Sequence, residues 1–176
     1  MKKTIYEGKK IRLTVADVVL PNGRSVEREL VEHPGAVVIL PLFDDGRVLF
    51  EDHYRASIDG RILELPAGTL EPGEEPIECA RRELAEETGL EAQEVVHLAT
   101  FYTSPGVLTE KMHAYLARGL SRGDDDLQDD EVMEPVEIPM DEALEMAAAG
   151  RLADAKTIAT LFLARAFLAR EGKARA

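Results

Sequence analysis

Residues 68–90 read GTLEPGEEPIECARRELAEETGL, an acidic loop followed by a segment with the periodicity of a helix. Pro76 suits the first helical turn because its missing N–H would have had no partner there, and Gly89 suits the left-handed position just past a helix end. Small or apolar residues recur at spacings of three and four: Ile77, Ala80, Leu84 and Thr88. The pattern therefore predicts a helix over residues 76–88 with one stripe facing a core.

Three glutamates of this helix lie beside that stripe: Glu83, Glu86 and Glu87. Side chains at i, i+3 and i+4 are neighbours on a helix, and each like-charged pair costs roughly 0.2–0.5 kcal/mol in an isolated helix. A bound cation would turn this repulsion into attraction, and hard carboxylate oxygens favour Mg²⁺ or Mn²⁺. The alternative is a solvated acidic face tempered by Arg81 and Arg82, and the preceding loop favours the metal site.

The spacing of these residues resembles the complete signature of the Nudix family. The matched positions span 23 residues without an insertion: Gly68, Glu74, Arg82-Glu83-Leu84, Glu86-Glu87 and Gly89-Leu90. The resemblance implies hydrolysis of a nucleoside diphosphate linked to another moiety, with divalent metal ions held on the signature helix. As metal ligands it implies Glu83, Glu86, Glu87 and the carbonyl of Ala67. Glu83 and Glu87 would then serve catalysis directly, and Arg82 would orient a glutamate by ion pairing.

Composition and charge narrow the class of protein. The chain has 176 residues, 45% hydrophobic and 31% charged, which suits one globular domain with a sizeable core. Its net charge of −13 argues against a nucleic acid or an anionic membrane as partner, because either would repel it. The single Cys79 excludes an internal disulfide, and the N-terminus shows neither a signal peptide nor a membrane span. We therefore expect a cytoplasmic protein.

The order of predicted elements indicates two parts. Residues 1–34 contain alternating strands around a Pro-Asn-Gly turn, and residues 35–176 contain further strands, the acidic helix and two closing helices. This order suits an α+β fold with a mixed β-sheet covered by helices on two faces, in agreement with the α/β/α sandwich that the Nudix resemblance implies. A small antiparallel β-segment is marginal alone in water. Residues 1–34 are therefore predicted to mediate a homodimer, with residues 35–176 as the Nudix domain.

A second segment narrows the choice of possible substrates. Residues 101–110, FYTSPGVLTE, resemble the segment that marks ADP-ribose pyrophosphatases, with Pro105 lying 15 residues after Leu90. The resemblance implies hydrolysis of ADP-ribose to AMP and ribose 5-phosphate. Hydrolases of GDP-mannose and of FAD resemble this segment too, so they stay alternatives. A Nudix-like sensor that binds ADP-ribose without cutting it is a further alternative, which the intact Glu83, Glu86 and Glu87 oppose.

Other residues are predicted to contact the substrate by similarity to related enzymes. Arg55 follows His53-Tyr54 at a strand end and is the candidate phosphate ligand, with Arg28 as a second arginine. A solvated surface position is the alternative for either arginine. Glu64 and Glu110 complete the predicted substrate contacts together with Pro105.

An acidic loop spans residues 123–131 and reads GDDDLQDDE. A calcium-binding EF-hand loop that starts at Asp124 is excluded. Its position 6 would be Asp129 instead of Gly, and its position 12 would be Pro135 instead of Glu. The family resemblance implies that such a loop delivers a glutamate to the metals as general base. We predict Glu131 for this role, with Asp129 and Glu134 as the other choices, against the alternative of a solvated charge run.

Overall fold

The computed structural model describes residues 2–122 and 133–174, in which strands and helices are mixed along the chain. The N-terminal strands are β1 (Lys2–Glu7), β2 (Arg12–Val19) and β3 (Ser25–Glu32). Four strands precede the first helix: β4 (Ala36–Pro41), β5 (Arg47–Arg55), β6 (Gly60–Glu64) and β7 (Ala67–Thr69). The remaining elements are α1 (Pro76–Thr88), β8 (Leu90–Tyr102), β9 (Lys111–Arg122), β10 (Met133–Pro139), α2 (Met140–Ala148) and α3 (Ala155–Ala174).

The central sheet has the strand order β7-β4-β9-β8. Strands β4 and β9 are parallel, from Ala36 opposite Met112 to Pro41 opposite Ala117, whereas the other neighbours are antiparallel. Every residue of β4 is buried, as expected for a strand covered on both faces. A second sheet, β10-β5-β6, is antiparallel throughout.

Helices cover both faces of the central sheet. On one face, α1 contributes Cys79, Ala80 and Leu84 to a cluster with side chains of β4 and β9. On the other, α2 and α3 contribute to a larger cluster whose buried members include Met140, Ala143, Leu161 and Ala164. The prediction of an α+β protein with a mixed sheet in an α/β/α sandwich is confirmed.

The N-terminal strands form a separate antiparallel sheet in the order β1-β2-β3, as predicted. All six residues of β1 are exposed. One parallel bridge joins β3 to the rest of the chain, where the N–H of Val31 donates to the carbonyl of Val107 and the N–H of Thr109 donates to the carbonyl of Val31. This sheet is therefore an extension of the sandwich with few contacts to it.

Helix ends follow the sequence for α1 and depart from it for α2. Gly89 adopts φ = 64°, and its N–H donates to the carbonyl of Ala85 at 2.9 Å, so α1 ends where the glycine predicts. The sequence suggests Asp141 as the capping residue of α2, but this prediction is wrong: the cap position is Pro139, and Asp141 lies in the first turn. The chain enters the helix directly from β10, which leaves no separate capping residue. No described helix is long and apolar enough to span a membrane.

Candidate active site

The acidic half of α1 packs against the short strand β7. The N–H of Ala67 donates to Glu87 Oε2 at 2.9 Å, which ties the helix to the strand. A Cβ atom built on Gly68 would lie 1.8 Å from Glu83 Cδ, so the Glu83 carboxylate occupies the space that a side chain would need. Strand β7 is itself fixed by antiparallel pairing with β4. The buried sheet thus determines where these two carboxylates lie.

Arg82 links the loop that precedes α1 to the carboxylates of that helix. Its Nε and Nη2 donate to the two carboxylate oxygens of Glu74 at 2.9 and 3.0 Å. Its Nη1 donates to Glu83 Oε1 at 2.8 Å and to Glu86 Oε2 at 3.0 Å. The hydrogen bonds from Arg82 lower the pKa of Glu74 to about 2. Arg82 thus holds three glutamates in fixed positions, which is the geometry that an orienting residue requires, although its catalytic role stays a prediction.

The donor set fits a divalent cation. Glu83, Glu86 and Glu87 present carboxylate oxygens to one cavity that Ala67 also lines, and hard oxygens are the ligands that Mg²⁺ and Mn²⁺ prefer. Within residues 2–122 and 133–174, no three acidic, His or Cys side chains already surround a single point as a metal site. Arg82 Nη1 lies between Glu83 and Glu86 and balances their charge, so a cation that binds there competes with the arginine.

These carboxylates line a cavity of about 1200 Å³. Its lining combines the acidic helix with residues from both sheets and from the start of α3, including Arg55, Glu110 and Lys156. Ligand sites commonly have volumes of about 300–1,000 Å³, so this cleft has room for a ligand as large as a dinucleotide.

A buried ion-pair cluster forms one wall of the cavity. Arg55 Nε and Nη2 donate to Glu64 Oε1 and Oε2 at 2.7 and 2.8 Å, the bidentate geometry that suits a guanidinium and a carboxylate. Lys156 also donates to Glu64 and lies 3.0 Å from Asp154. The side chain of Glu64 is only 2% exposed, whereas that of Arg55 is 37% exposed and reaches the cavity.

The Glu64 cluster predicts a specific dependence of stability on pH. Burial raises the pKa of Glu64, but hydrogen bonds from Arg55 and the charge of Lys156 outweigh burial and lower it from 4.5 to about 2. Because the unfolded chain binds the proton more readily, this stabilisation is fully present above pH 4.5 and is lost as the pH falls towards 2. Urea unfolding of wild type and Glu64→Gln should therefore give a difference in unfolding free energy that shrinks below pH 4.5. A difference that stays constant on acidification would contradict this assignment.

Glu110 lies where three segments meet at the cavity. Thr103 Oγ1 donates to Glu110 Oε2 at 2.6 Å, and His33 Nδ1 lies 3.5 Å from Glu110 Oε1. The N–H of Gly35 donates to the same His33 nitrogen at 3.1 Å. Thr103 therefore holds the carboxylate by a hydrogen bond, and the His33 nitrogen, which accepts from Gly35, lies beside it at the boundary with the N-terminal sheet.

The structure separates the other predicted site residues. Pro105 lies in the turn where the N–H groups of residues 107 and 108 donate to Ser104, and it is exposed outside the cavity lining. Arg28 lies on β3 and donates to the carbonyl of Glu27, also outside the cavity lining. Glu134 is on β10, with its carboxylate 3.6 Å from Arg61. Glu131 and Asp129 lie outside the described residues. The roles of all of these residues stay predictions.

Several charged residues that line the cavity were not predicted from the sequence, among them Glu51, Asp154 and Lys156. Glu51 is 3% exposed and is the cross-strand neighbour of Glu64 in the β5–β6 pair. A carboxylate inside the apolar run of β5 was the available signal. At the start of α3, Asp154 and Lys156 line the cavity, whereas the apolar spacing of this helix indicates only its buried side.

A mixed sheet between helices, with a glutamate-rich helix turned towards a charged cleft, defines the architecture of a Nudix-type hydrolase. Residues 32–161 match the model of the NUDIX domain, which covers more than half of the chain. The chain therefore belongs to the Nudix family and is a hydrolase. Nudix ADP-ribose pyrophosphatases generally use a divalent metal ion.

Individual relatives agree with this assignment. The chain is 43% identical over 158 residues to the "ADP-ribose pyrophosphatase" of Bacillus subtilis (strain 168), covering 89% of this chain and 85% of the relative. It is 41% identical over 156 residues to the "Methanol dehydrogenase activator" of Bacillus methanolicus, covering 88% and 84%. A crystal structure described as an "ADP compounds hydrolase" superimposes with a TM-score of 0.84 at 24% identity, covering 98% of this chain and 94% of the other. This structural likeness concerns the fold.

Proposed function

We propose that this protein hydrolyses the diphosphate of ADP-ribose, with one water, to AMP and ribose 5-phosphate. The observation that carries the proposal is the convergence of Glu83, Glu86 and Glu87 with Arg55 on one cavity of about 1200 Å³. Acidic residues that can hold metal ions and an arginine that can meet a phosphate are the two requirements of diphosphate hydrolysis. The name of the relative from Bacillus subtilis supports ADP-ribose as the substrate.

The proposed roles follow from the contacts of the chain's own residues. Glu83, Glu86, Glu87 and the carbonyl of Ala67 hold Mg²⁺, or Mn²⁺ in its place. When bound, the metal neutralises charge on the diphosphate and lowers the pKa of a water molecule. Arg82 keeps the helix carboxylates in position through the ion pairs described above.

Substrate binding is assigned to the opposite wall of the cavity and the general base to the acidic loop. Arg55 binds the diphosphate, with Glu64 fixing its guanidinium. Glu110 contacts the substrate from the loop after β8. Glu131 accepts a proton from the attacking water, a role for which Asp129 and Glu134 are the other choices.

A substrate panel tests this function directly. ADP-ribose, GDP-mannose and FAD are supplied at equal concentration with Mg²⁺, and products are separated by chromatography. We expect ADP-ribose to give the highest kcat/KM, with AMP and ribose 5-phosphate in equal amounts. A higher kcat/KM for GDP-mannose or FAD would change the assigned substrate and leave the assigned reaction, diphosphate hydrolysis, unchanged. Binding of ADP-ribose without any product would instead indicate a sensor.

We also propose that the protein acts as a homodimer in the cytoplasm, with residues 1–34 as the dimerisation segment and residues 35–176 as the catalytic domain. The N-terminal sheet exposes large apolar side chains in an otherwise charged surface: Ile5, Tyr6, Ile11 and Val19. Val19 is 72% exposed. Exposed apolar side chains on a sheet with few contacts to its own domain suit a second copy of the chain.

Removing the N-terminal sheet tests the dimer. Deletion of residues 1–34 should convert the dimer to a monomer in light scattering and raise KM for ADP-ribose, because the partner no longer completes the site. Val19→Lys should weaken dimerisation without removing a strand. Phe162→Lys is the matched control, since Phe162 is also an exposed apolar side chain but lies on α3. A wild-type monomer with full activity would refute the proposal.

A further inference from the structure

Lys156 lies at the beginning of α3 and reaches into the buried charge cluster beside the cavity. Its ammonium group contacts Glu64 and lies 3.0 Å from Asp154 Oδ2, and its side chain is 13% exposed. The start of the helix is fixed on both sides. The N–H of Thr157 donates to Asp154 Oδ2 at 2.9 Å, and the N–H of Leu65 donates to Thr157 Oγ1 at 2.9 Å. The position of Lys156 is therefore set by strong local contacts.

Glu64 connects Lys156 to Arg55. One buried carboxylate receives two parallel hydrogen bonds from the guanidinium and a further bond from the lysine. A carboxylate with two rotatable torsions near its end meets a planar guanidinium in a bidentate manner only in a narrow range of orientations. Lys156 supplies the second anchor that restricts Glu64 to this orientation. The orientation of Arg55 at the cavity thus depends on a lysine that belongs to a different element.

The contacts of Lys156 favour this indirect role over direct binding of the substrate. An ammonium group has three donors, and here two carboxylates already surround it. Arg55 has the more exposed side chain, 37% against 13% for Lys156. The more exposed arginine is therefore the group that a diphosphate in the cavity meets, whereas the lysine, which also lines the cavity, is engaged by Glu64 and Asp154.

We propose that Lys156 is a positioning residue, which orients Arg55 through Glu64 and thereby sets the affinity for the substrate diphosphate. The inference rests on the proposed function, because it takes Arg55 as a ligand of the diphosphate. It adds a residue of α3 to the substrate-binding machinery and explains why the helix begins at the cavity.

A double-mutant cycle tests the proposal by steady-state kinetics on ADP-ribose. Lys156→Met removes the charge and keeps the length, Arg55→Ala removes the ligand, and the double variant combines them. We expect Lys156→Met to raise KM about tenfold or more, the factor that corresponds to one charge-assisted hydrogen bond, with kcat nearly unchanged. In the Arg55→Ala background, Lys156→Met should have little further effect, because the residue that it positions is gone. Equal effects in both backgrounds would overturn the proposal.

Further variants separate charge from packing. Lys156→Arg keeps a cation between Glu64 and Asp154 and should restore most of the affinity. Arg165→Met is the matched control on the same helix and should leave KM unchanged. The Arg165 side chain is 60% exposed, and its one ion pair among the described residues is with Asp141 at 3.5 Å. If Lys156→Met unfolds at the assay temperature, Lys156→Gln replaces it in the cycle. A failure of Lys156→Arg to lower KM below that of the uncharged variant would contradict the inference.

A readout without substrate distinguishes this inference from the proposed function. The Nε–H of Arg55, which donates to Glu64 Oε1, should give a proton resonance that exchanges slowly with solvent in the wild type. Lys156→Met should accelerate this exchange, and Lys156→Arg should slow it again. An unchanged exchange rate in Lys156→Met would overturn the positioning role whatever the substrate. Absence of ADP-ribose hydrolysis in the wild type would instead refute the proposed function.

Discussion

Glu83→Gln and Glu87→Gln should each lower kcat by about 100- to 1000-fold, comparable with removing one group that stabilises transition-state charge. Glutamine keeps the size of the side chain but is a poor ligand for a hard divalent cation. Folding should persist, because the substitution also removes repulsion from the neighbouring glutamates of α1. The measurements are kcat at saturating Mg²⁺ and a thermal melt, and chelation should abolish activity of the wild type.

The control for this prediction lies on the same helix. Glu78 is exposed in the first turn of α1, so Glu78→Gln changes the charge of the helix by the same amount without touching the cavity. Its kcat should match that of the wild type. Wild-type turnover in Glu83→Gln and Glu87→Gln would show that these carboxylates do not hold a metal, and the assignment of the site would fail.

Gly68→Ala should inactivate the enzyme while leaving it folded. The new Cβ atom would lie 1.8 Å from Glu83 Cδ and 1.9 Å from Glu83 Oε1, which no two such atoms tolerate. The clash involves the Glu83 side chain from Cγ outward and no backbone atom, so Glu83 can rotate about its Cα–Cβ bond and the strand need not move. We therefore expect a loss of kcat of about 100-fold, the scale of removing the carboxylate itself, with a nearly unchanged melting temperature.

Two further variants test this explanation. If Gly68→Ala acts by displacing Glu83, it should have little additional effect in the Glu83→Gln background, because the carboxylate is already lost. Gly172→Ala is the control, since a Cβ atom there meets nothing within 4 Å, and it should not change activity. Full activity of Gly68→Ala would show that the position of Glu83 in the structure is irrelevant to turnover.

The sequence predicted elements whose ends are marked by special residues. Residues 76–88 form α1 as predicted because Pro76 and Gly89 restrict the backbone at the two ends. The predicted core stripe was partly wrong, since Ile77 is 37% exposed while the small Cys79 is fully buried. Periodicity indicates which side of a helix faces inward, but the closest approach of the sheet decides which residue on that side is covered.

Features that depend on contacts between distant parts of the chain were not predicted by local sequence patterns. Strand β7 has only three residues, and its identity comes from pairing with β4. The alternation of residues predicts strands over 95–103 and 112–117, whereas β8 begins five residues earlier and β9 ends five residues later, because each continues along its partner. The Glu64 cluster likewise joins residues of β5, β6 and α3, and no local pattern relates Lys156 to Glu64. Local rules therefore located the glutamate-rich helix, and family resemblance supplied Arg55, Glu64 and Glu110, but neither predicted that Lys156 joins them.

The parallel pairing of β4 with β9 has a consequence for how the protein reaches its native state. The β5–β6 hairpin, β7, α1 and β8 lie between β4 and β9 in the chain, so the β4–β9 pairing joins residues that are far apart in sequence. Closing such a long loop is entropically unfavourable and tends to be slow. The same strand β4 also holds β7, whose Ala67 N–H donates to Glu87. The acidic side of the cleft is therefore anchored to a strand whose own parallel pairing closes a long loop.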